Sequence, residues 1–206
     1  MLNRSPEEIL AFAIALIPAF AIHEFAHAFM AYRLGDSTAK DLGRLTLNPI
    51  KHLDVLGTLM VFLVGFGWAK PVPVNPNNLR GGRKGMALVA VVGPLSNLAL
   101  AGVVAFIWRV SGFAGGEIVA NILLVFIFLN IALLFFNLIP IPPLDGYRVL
   151  LGILPEGLAL QWARVGQVGP LLLFGLILIG NFLPGAGILG RLVIGPTQAV
   201  MRAMLQ

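Results

Sequence analysis

Between Ile9 and Tyr32 runs an apolar stretch with His23, Glu24 and His27 set inside it, and no other part of the chain limits its fold so sharply. One charged side chain at the centre of a membrane helix costs roughly 2.5–3.5 kcal/mol on the lower, translocon-based scale, so three polar groups in one apolar helix need a compensating partner. A divalent cation is the natural one. Four residues apart on a helix, His23 and His27 stand one turn above each other and can aim ring nitrogens at a single point. Glu24 is rotated by about 100° from His23, where its carboxylate can reach a water held on the metal without displacing a ligand. The stretch therefore reads H-E-x-x-H, two ligands and a base. A chance pattern of hydrogen-bonded core residues would suit a soluble helix better than this one.

Of the 206 residues, 58% are hydrophobic and 11% are charged, against about 25% charged in soluble domains. The expectation is an all-α polytopic membrane protein, one membrane-embedded domain over residues 1–206 with about five or six transmembrane helices and the lipid bilayer as a partner. The net charge of +5 is spread over short loops without a basic stripe, which argues against nucleic acid. There is no cysteine, so a metal must be held by His, Asp or Glu. The first apolar run is too long for a signal-peptide core and reads as a retained span.

In chain order, Ser5 is the expected N-cap of the first helix with Pro6 at its first position, and Pro18 should kink it. Arg33, Gly35 and Asp36 mark its exit. Residues 43–48 and 70–75 alternate polar and apolar with period two and read as short strands, although Pro71 and Pro73 limit the second to one pairing edge. Val55 to Trp68 is apolar but short for a span. Basic loops before it (Arg33, Lys40, Arg44, Lys51) and after it (Lys70, Arg80, Arg83, Lys84) fit one membrane face, so a small re-entrant β-hairpin-like segment is expected in place of a crossing. Its free edge would hold an extended substrate by strand addition.

Met86 to Trp108 and Ile118 to Leu138 are full spans, the first interrupted by Gly93-Pro94-Leu95-Ser96-Asn97. The second breaks at Pro140, Pro142 and Pro143 before Asp145-Gly146. Alternating crossings bring Asp145 to the same side as His27, so Asp145 is the expected third ligand; with a water, the set makes a tetrahedral two-nitrogen, one-carboxylate zinc site. Asp145 as a helix cap is the plainer alternative. Gly93 and Gly102 read as packing residues, His52 as solvated or locally structural, and Arg148 as reaching for the interface. Residues 155–206 form accessory helices, of which 186–205 is either a further span or an interfacial helix.

Taken together, His23-Glu24-Phe25-Ala26-His27, Gly93-Pro94-Leu95-Ser96-Asn97 and the run from Asn137 to Gly146 resemble, in this order, the site-2 protease family of intramembrane zinc metalloproteases, over about residues 8–150. The resemblance implies one zinc per chain on His23, His27 and Asp145, with Glu24 as the catalytic glutamate. Asn97 would line the substrate path, holding a substrate carbonyl or bonding neighbouring helices. Gly93, Asn137, Pro140, Pro142 and Gly146 would be structural positions at the site, Asn137 bracing the proline segment. The implied activity is hydrolysis of peptide bonds in or near transmembrane segments by a zinc-activated water with Glu24 as general base, at the cytoplasmic side of a prokaryotic cytoplasmic membrane. The PDZ and CBS domains borne by many members do not fit within 206 residues, so a minimal core is expected. A membrane metal transporter or an inactive metal-binding protein is the alternative, although no internal repeat supports transport. The oligomeric state stays open.

Overall fold

The computed structural model describes residues 5–64, 67–111, 116–182, 187 and 189–206. Its helices are α1 (Pro6–Arg33), α2 (Thr38–Asp41), α3 (Val55–Val64), α4 (Gly82–Val110), α5 (Glu117–Asn137), α6 (Asp145–Ile153), α7 (Glu156–Ala163), α8 (Val165–Phe182) and α9 (Gly195–Leu205), with a π-helical turn at Gly190–Ile194 before the last. Among the described residues three segments are long and apolar enough to cross a membrane: Glu7–Arg33, Gly82–Val110 and Glu117–Asn137. Each exceeds the roughly 20 residues a bilayer requires. α8 has a shorter apolar stretch over Val165–Ile177 among the described residues.

Local chemistry starts α1 where the sequence places it. Ser5 Oγ accepts from the Glu8 amide at 3.2 Å, and Glu8 Oε2 accepts from the Ser5 amide at 3.1 Å, a reciprocal capping box with Pro6 in the first turn. α1 then packs against α4 and α5, and α4 also packs against α5 and α6. Small residues allow the close approach: Ala15, Ala19, Ala28 and Ala31 of α1 and Ala101 of α4 are all fully buried. Beyond them, Val200, Met201, Met204 and Leu205 of α9 pack on the Ala101, Ala105, Ile127 and Ile131 cluster of α4 and α5.

Between α1 and α4 the structure departs from the expected strands. Among the described residues there is no strand, and one isolated antiparallel bridge joins Leu53 to Ala69. Side chains and local turns occupy the backbone groups that a ladder would need. Arg44 donates from Nη1 to Pro71 O (3.2 Å) and from Nη2 to Lys70 O (2.6 Å), the Val72 amide donates to Glu24 Oε2 (3.0 Å), and the Asn75 amide donates to Asp36 Oδ2 (2.7 Å). Residues 43–48 are likewise tied up locally, with the Arg44 amide on Ala39 O and Thr46 O accepting from His52 Nε2 at 2.7 Å. The edge expected to receive a substrate is thus already satisfied at Lys70, Pro71, Val72 and Asn75.

The segment expected as a β-hairpin-like re-entry is different in kind, because its outgoing arm is the helix α3. Its two ends nevertheless meet at the Leu53–Ala69 bridge, where the Lys70 amide donates to His52 O at 2.8 Å. Gly65 and Phe66 lie outside the described residues. His52 is fully buried, so its local structural part is played away from solvent. Asp36, also fully buried, ties the end of α1 to the return stretch by accepting from the Thr38 amide and hydroxyl, the Asn75 amide and Asn78 Nδ2. Burial alone would raise its carboxyl, but these hydrogen bonds outweigh burial and hold it below the usual carboxylate range.

Candidate metal centre

α1, α4, α5 and α6 meet around a cavity of about 540 Å³. Phe12, Leu16 and Phe20 of α1 and Leu129, Leu133 and Phe136 of α5 make its apolar wall, and His23, Glu24, His27 and Asp145 make its polar end. His23, Glu24 and His27 are 6%, 8% and 7% exposed, so the polar end is buried.

Helical spacing sets the two imidazoles one turn apart, edge to face, with their Nε2 atoms 3.0 Å from each other. The proline-rich break after α5 delivers the third group. Asp145 is the first residue of α6; Leu144 is the N-cap, and no side-chain capping bond is made there. The Asp145 carboxylate turns instead to the histidines, with Oδ2 3.1 Å from His23 Nε2 and 3.2 Å from His27 Nε2. Gly146 permits this turn, since a Cβ there would overlap Leu138 O and Ile139 O at the end of α5. Pro140 and Pro142 lie in the non-helical stretch between α5 and α6. Asn137 lines the cavity, and its amide donates one turn back to Leu133 O at 3.0 Å rather than to the proline stretch. Arg148, one turn beyond Asp145, also lines the cavity.

The donor set fits a metal cation. His27 Nδ1 lies 2.7 Å from Val89 O, a carbonyl that only accepts, so the ring proton is on Nδ1 and Nε2 presents a lone pair. Asp145 Oδ2 is buried and accepts no hydrogen bond. The three ligand atoms lie within 4.8 Å of one another, and their separations of 3.0, 3.1 and 3.2 Å approach the edge of about 3.3 Å of a tetrahedron with bonds of about 2.0–2.1 Å. Lone pairs pressed together in this way repel unless a positive charge sits among them.

α4 completes the surroundings. A Cβ on Gly93 would overlap Cε1 and Nε2 of His27 and lie 2.8 Å from His23 Nε2, so the glycine packs directly against the ligands. Gly102, expected to pack as well, would meet nothing within 4 Å. Asn97 is fully buried and places Oδ1 2.7 Å from His23 Nδ1.

Three contributions escape sequence reasoning. Asn130 of α5 touches Asn97, the Val72 amide donates to Glu24, and Arg44 donates to the backbone carbonyls of Lys70 and Pro71. Asn130 did leave a signal: it is a polar residue within the apolar run from Ile122 to Phe136, and such groups are costly unless bonded. The other two left none, because a loop cation and a loop amide have no fixed geometry before folding. Burial lowers the Arg44 guanidinium from its usual value and the nearby Glu24 carboxylate opposes that shift, so this cation also balances the Glu24 charge. Arg44→Gln is expected to speed amide hydrogen exchange at Val72 by about 10- to 100-fold, because losing two charge-assisted hydrogen bonds frees residues 70–72. Arg44→Lys should restore only part of the protection, since one ammonium does not reproduce the two-pronged contact. Hydrogen exchange measured on both variants checks this.

The fold and donor set define a membrane-type helical protein in which two histidines of one helix and an aspartate from the start of another form a cluster that could hold a metal ion. Over 163 residues, 76% of this chain and 74% of the relative, it is 44% identical to the Bacillus subtilis (strain 168) protein named "Putative zinc metalloprotease YwhC". Proteins named "Putative zinc metalloprotease Rip2" from Mycolicibacterium smegmatis and Mycobacterium tuberculosis (strain H37Rv) are 32% and 34% identical over 137 and 138 residues, 64% of this chain in each case. The matches span 52% of the length of these mycobacterial relatives. No protein-family model matches the chain. No solved structure matches it either. The chain belongs to the site-2 protease family of zinc metalloproteases.

Proposed function

We propose that the protein is an intramembrane zinc endopeptidase that cuts peptide bonds in or near transmembrane segments of membrane proteins. One observation carries the reading: His23 Nε2, His27 Nε2 and Asp145 Oδ2 converge at the end of an apolar cavity that Glu24 also lines. His23, His27 and Asp145 would hold one zinc per chain, which when bound would supply Lewis acidity. Glu24, its Oε2 steadied by the Val72 amide, takes the proton from the attacking water and delivers it to the leaving amine. His27 and Asp145 bind and do not transfer protons. The aromatic and aliphatic wall formed by α1 and α5 receives the apolar substrate segment and limits water at the reacting bond.

The helices able to span a bilayer, and basic loops gathered on either side of α3, support an integral protein of a prokaryotic cytoplasmic membrane with its site near the cytoplasmic side. A transporter is not favoured, because the relatives matched are named as metalloproteases. The test is cleavage in proteoliposomes of a single-span substrate labelled at both ends. Zinc-loaded protein should yield two fragments cut within or beside the span; an intact substrate after prolonged incubation with zinc-loaded protein would contradict the proposal.

A further inference from the structure

α5 supplies no metal ligand, yet it carries a fully buried asparagine, Asn130, in contact with the fully buried Asn97 of α4. We propose that Asn130 and Asn97 form a directional relay that fixes His23 as the Nδ1–H tautomer and so keeps its Nε2 lone pair on the metal position, which makes Asn130 a positioning residue. This rests on the zinc-site reading given above.

The direction is set from the far end. Phe126 O is a carbonyl and can only accept, and Asn130 Nδ2 donates to it at 2.9 Å. Asn130 Oδ1 is therefore the atom turned toward α4. Asn97 Nδ2 meets two acceptors, Asn130 Oδ1 at 2.9 Å and Ala19 O at 3.2 Å, which take both of its hydrogens. Flipping the Asn97 amide would press an oxygen against those two acceptors in a fully buried position. Asn97 Oδ1 is left facing His23 Nδ1 at 2.7 Å as an acceptor, so the imidazole donates from Nδ1. Neutral imidazole has one N–H, and Nε2 is then bare.

His27 obtains the same outcome in one step from Val89 O. The two ligands are thus oriented by different means: one by the backbone of α4, the other by a side-chain chain that begins on α5. Asn97, with its acceptor committed to His23 and both amide hydrogens committed elsewhere, serves the metal centre in preference to a substrate carbonyl.

The test measures zinc affinity of the full-length protein in detergent by competition with a chelator. Asn130→Leu removes the acceptor that orients Asn97 and should weaken zinc binding about 10- to 100-fold. Asn130→Asp should stay near the wild type, because a carboxyl in apolar surroundings is protonated, donating to Phe126 O and accepting from Asn97. Equal zinc affinity of Asn130→Leu and wild type would overturn the relay; so would an Asn130→Asp as weak as Asn130→Leu. Should Asn130→Leu fail to fold, side-chain 15N spectra of metal-free wild type decide, with a protonated Nδ1 expected at His23 and an Nδ1 that carries no proton contradicting the relay. Wild type that binds no zinc at all would instead overturn the protease reading, and so the two failures are distinguishable.

Discussion

Glu24→Gln is expected to keep one zinc per chain and to cleave a reconstituted transmembrane substrate about 10²- to 10⁴-fold more slowly than wild type. Glutamine preserves the length of the side chain, and its amide still offers an oxygen to the Val72 N–H, so the 70–75 stretch and the packing of α1 are left in place. What disappears is basicity. The amide has no capacity to take a proton from water or to carry it to the leaving nitrogen, while His23, His27 and Asp145 are untouched. The loss should appear in the rate of bond cleavage and not in substrate capture, so the variant should accumulate bound, uncut substrate. A transporter or a passive metal-binding protein built on the same ligands would be indifferent to this change.

Gly93→Ala is expected to have the opposite profile, with the fold kept and the metal lost. Within a helix interior, alanine is favoured over glycine by about 1 kcal/mol, so α4 itself should gain from the substitution. The new methyl group, however, falls on Cε1 and Nε2 of His27 and crowds His23 Nε2. Both imidazoles are pinned on their other side, His27 by Val89 O and His23 by Asn97, so neither can swing away without giving up a buried hydrogen bond. Zinc affinity should fall by about 100-fold or more, since ligand sites tolerate displacements of only about 0.5 Å. Gly102→Ala, on the same helix where a methyl meets open space, should bind zinc like the wild type. Competition with a chelator reads both variants.

The placing of His23 and His27 side by side was legible in the sequence because its determinants are local. The i, i+4 spacing puts His23 and His27 on one helix face, and the cost of polar groups in an apolar run makes a cation their natural partner. Asp145 joins them from beyond the proline-rich break after α5, and the capping box at Ser5 and Glu8 follows from adjacent residues. The region from Asp36 to Asn75 was legible only in part, and for a physical reason. Alternating polarity predicts strands when backbone groups seek one another, whereas here the carboxylates of Asp36 and Glu24 and the guanidinium of Arg44 reach those groups first. Asn97 was visible as polar and near the site, but its role depends on a partner one helix further away. No sequence pattern links Asn130 on α5 to His23 on α1; the link exists only once α4 is packed between them.

The central claim is that His23, His27 and Asp145 together hold a zinc. Metal content of the purified, folded protein, measured by mass spectrometry on wild type and Asp145→Asn grown with zinc in excess, tests it most directly. Wild type should carry one zinc per chain and Asp145→Asn, which replaces an anionic ligand with a neutral amide, should carry little after dialysis. Folded wild type free of zinc, or an Asp145→Asn form that retains it in full, would contradict the account.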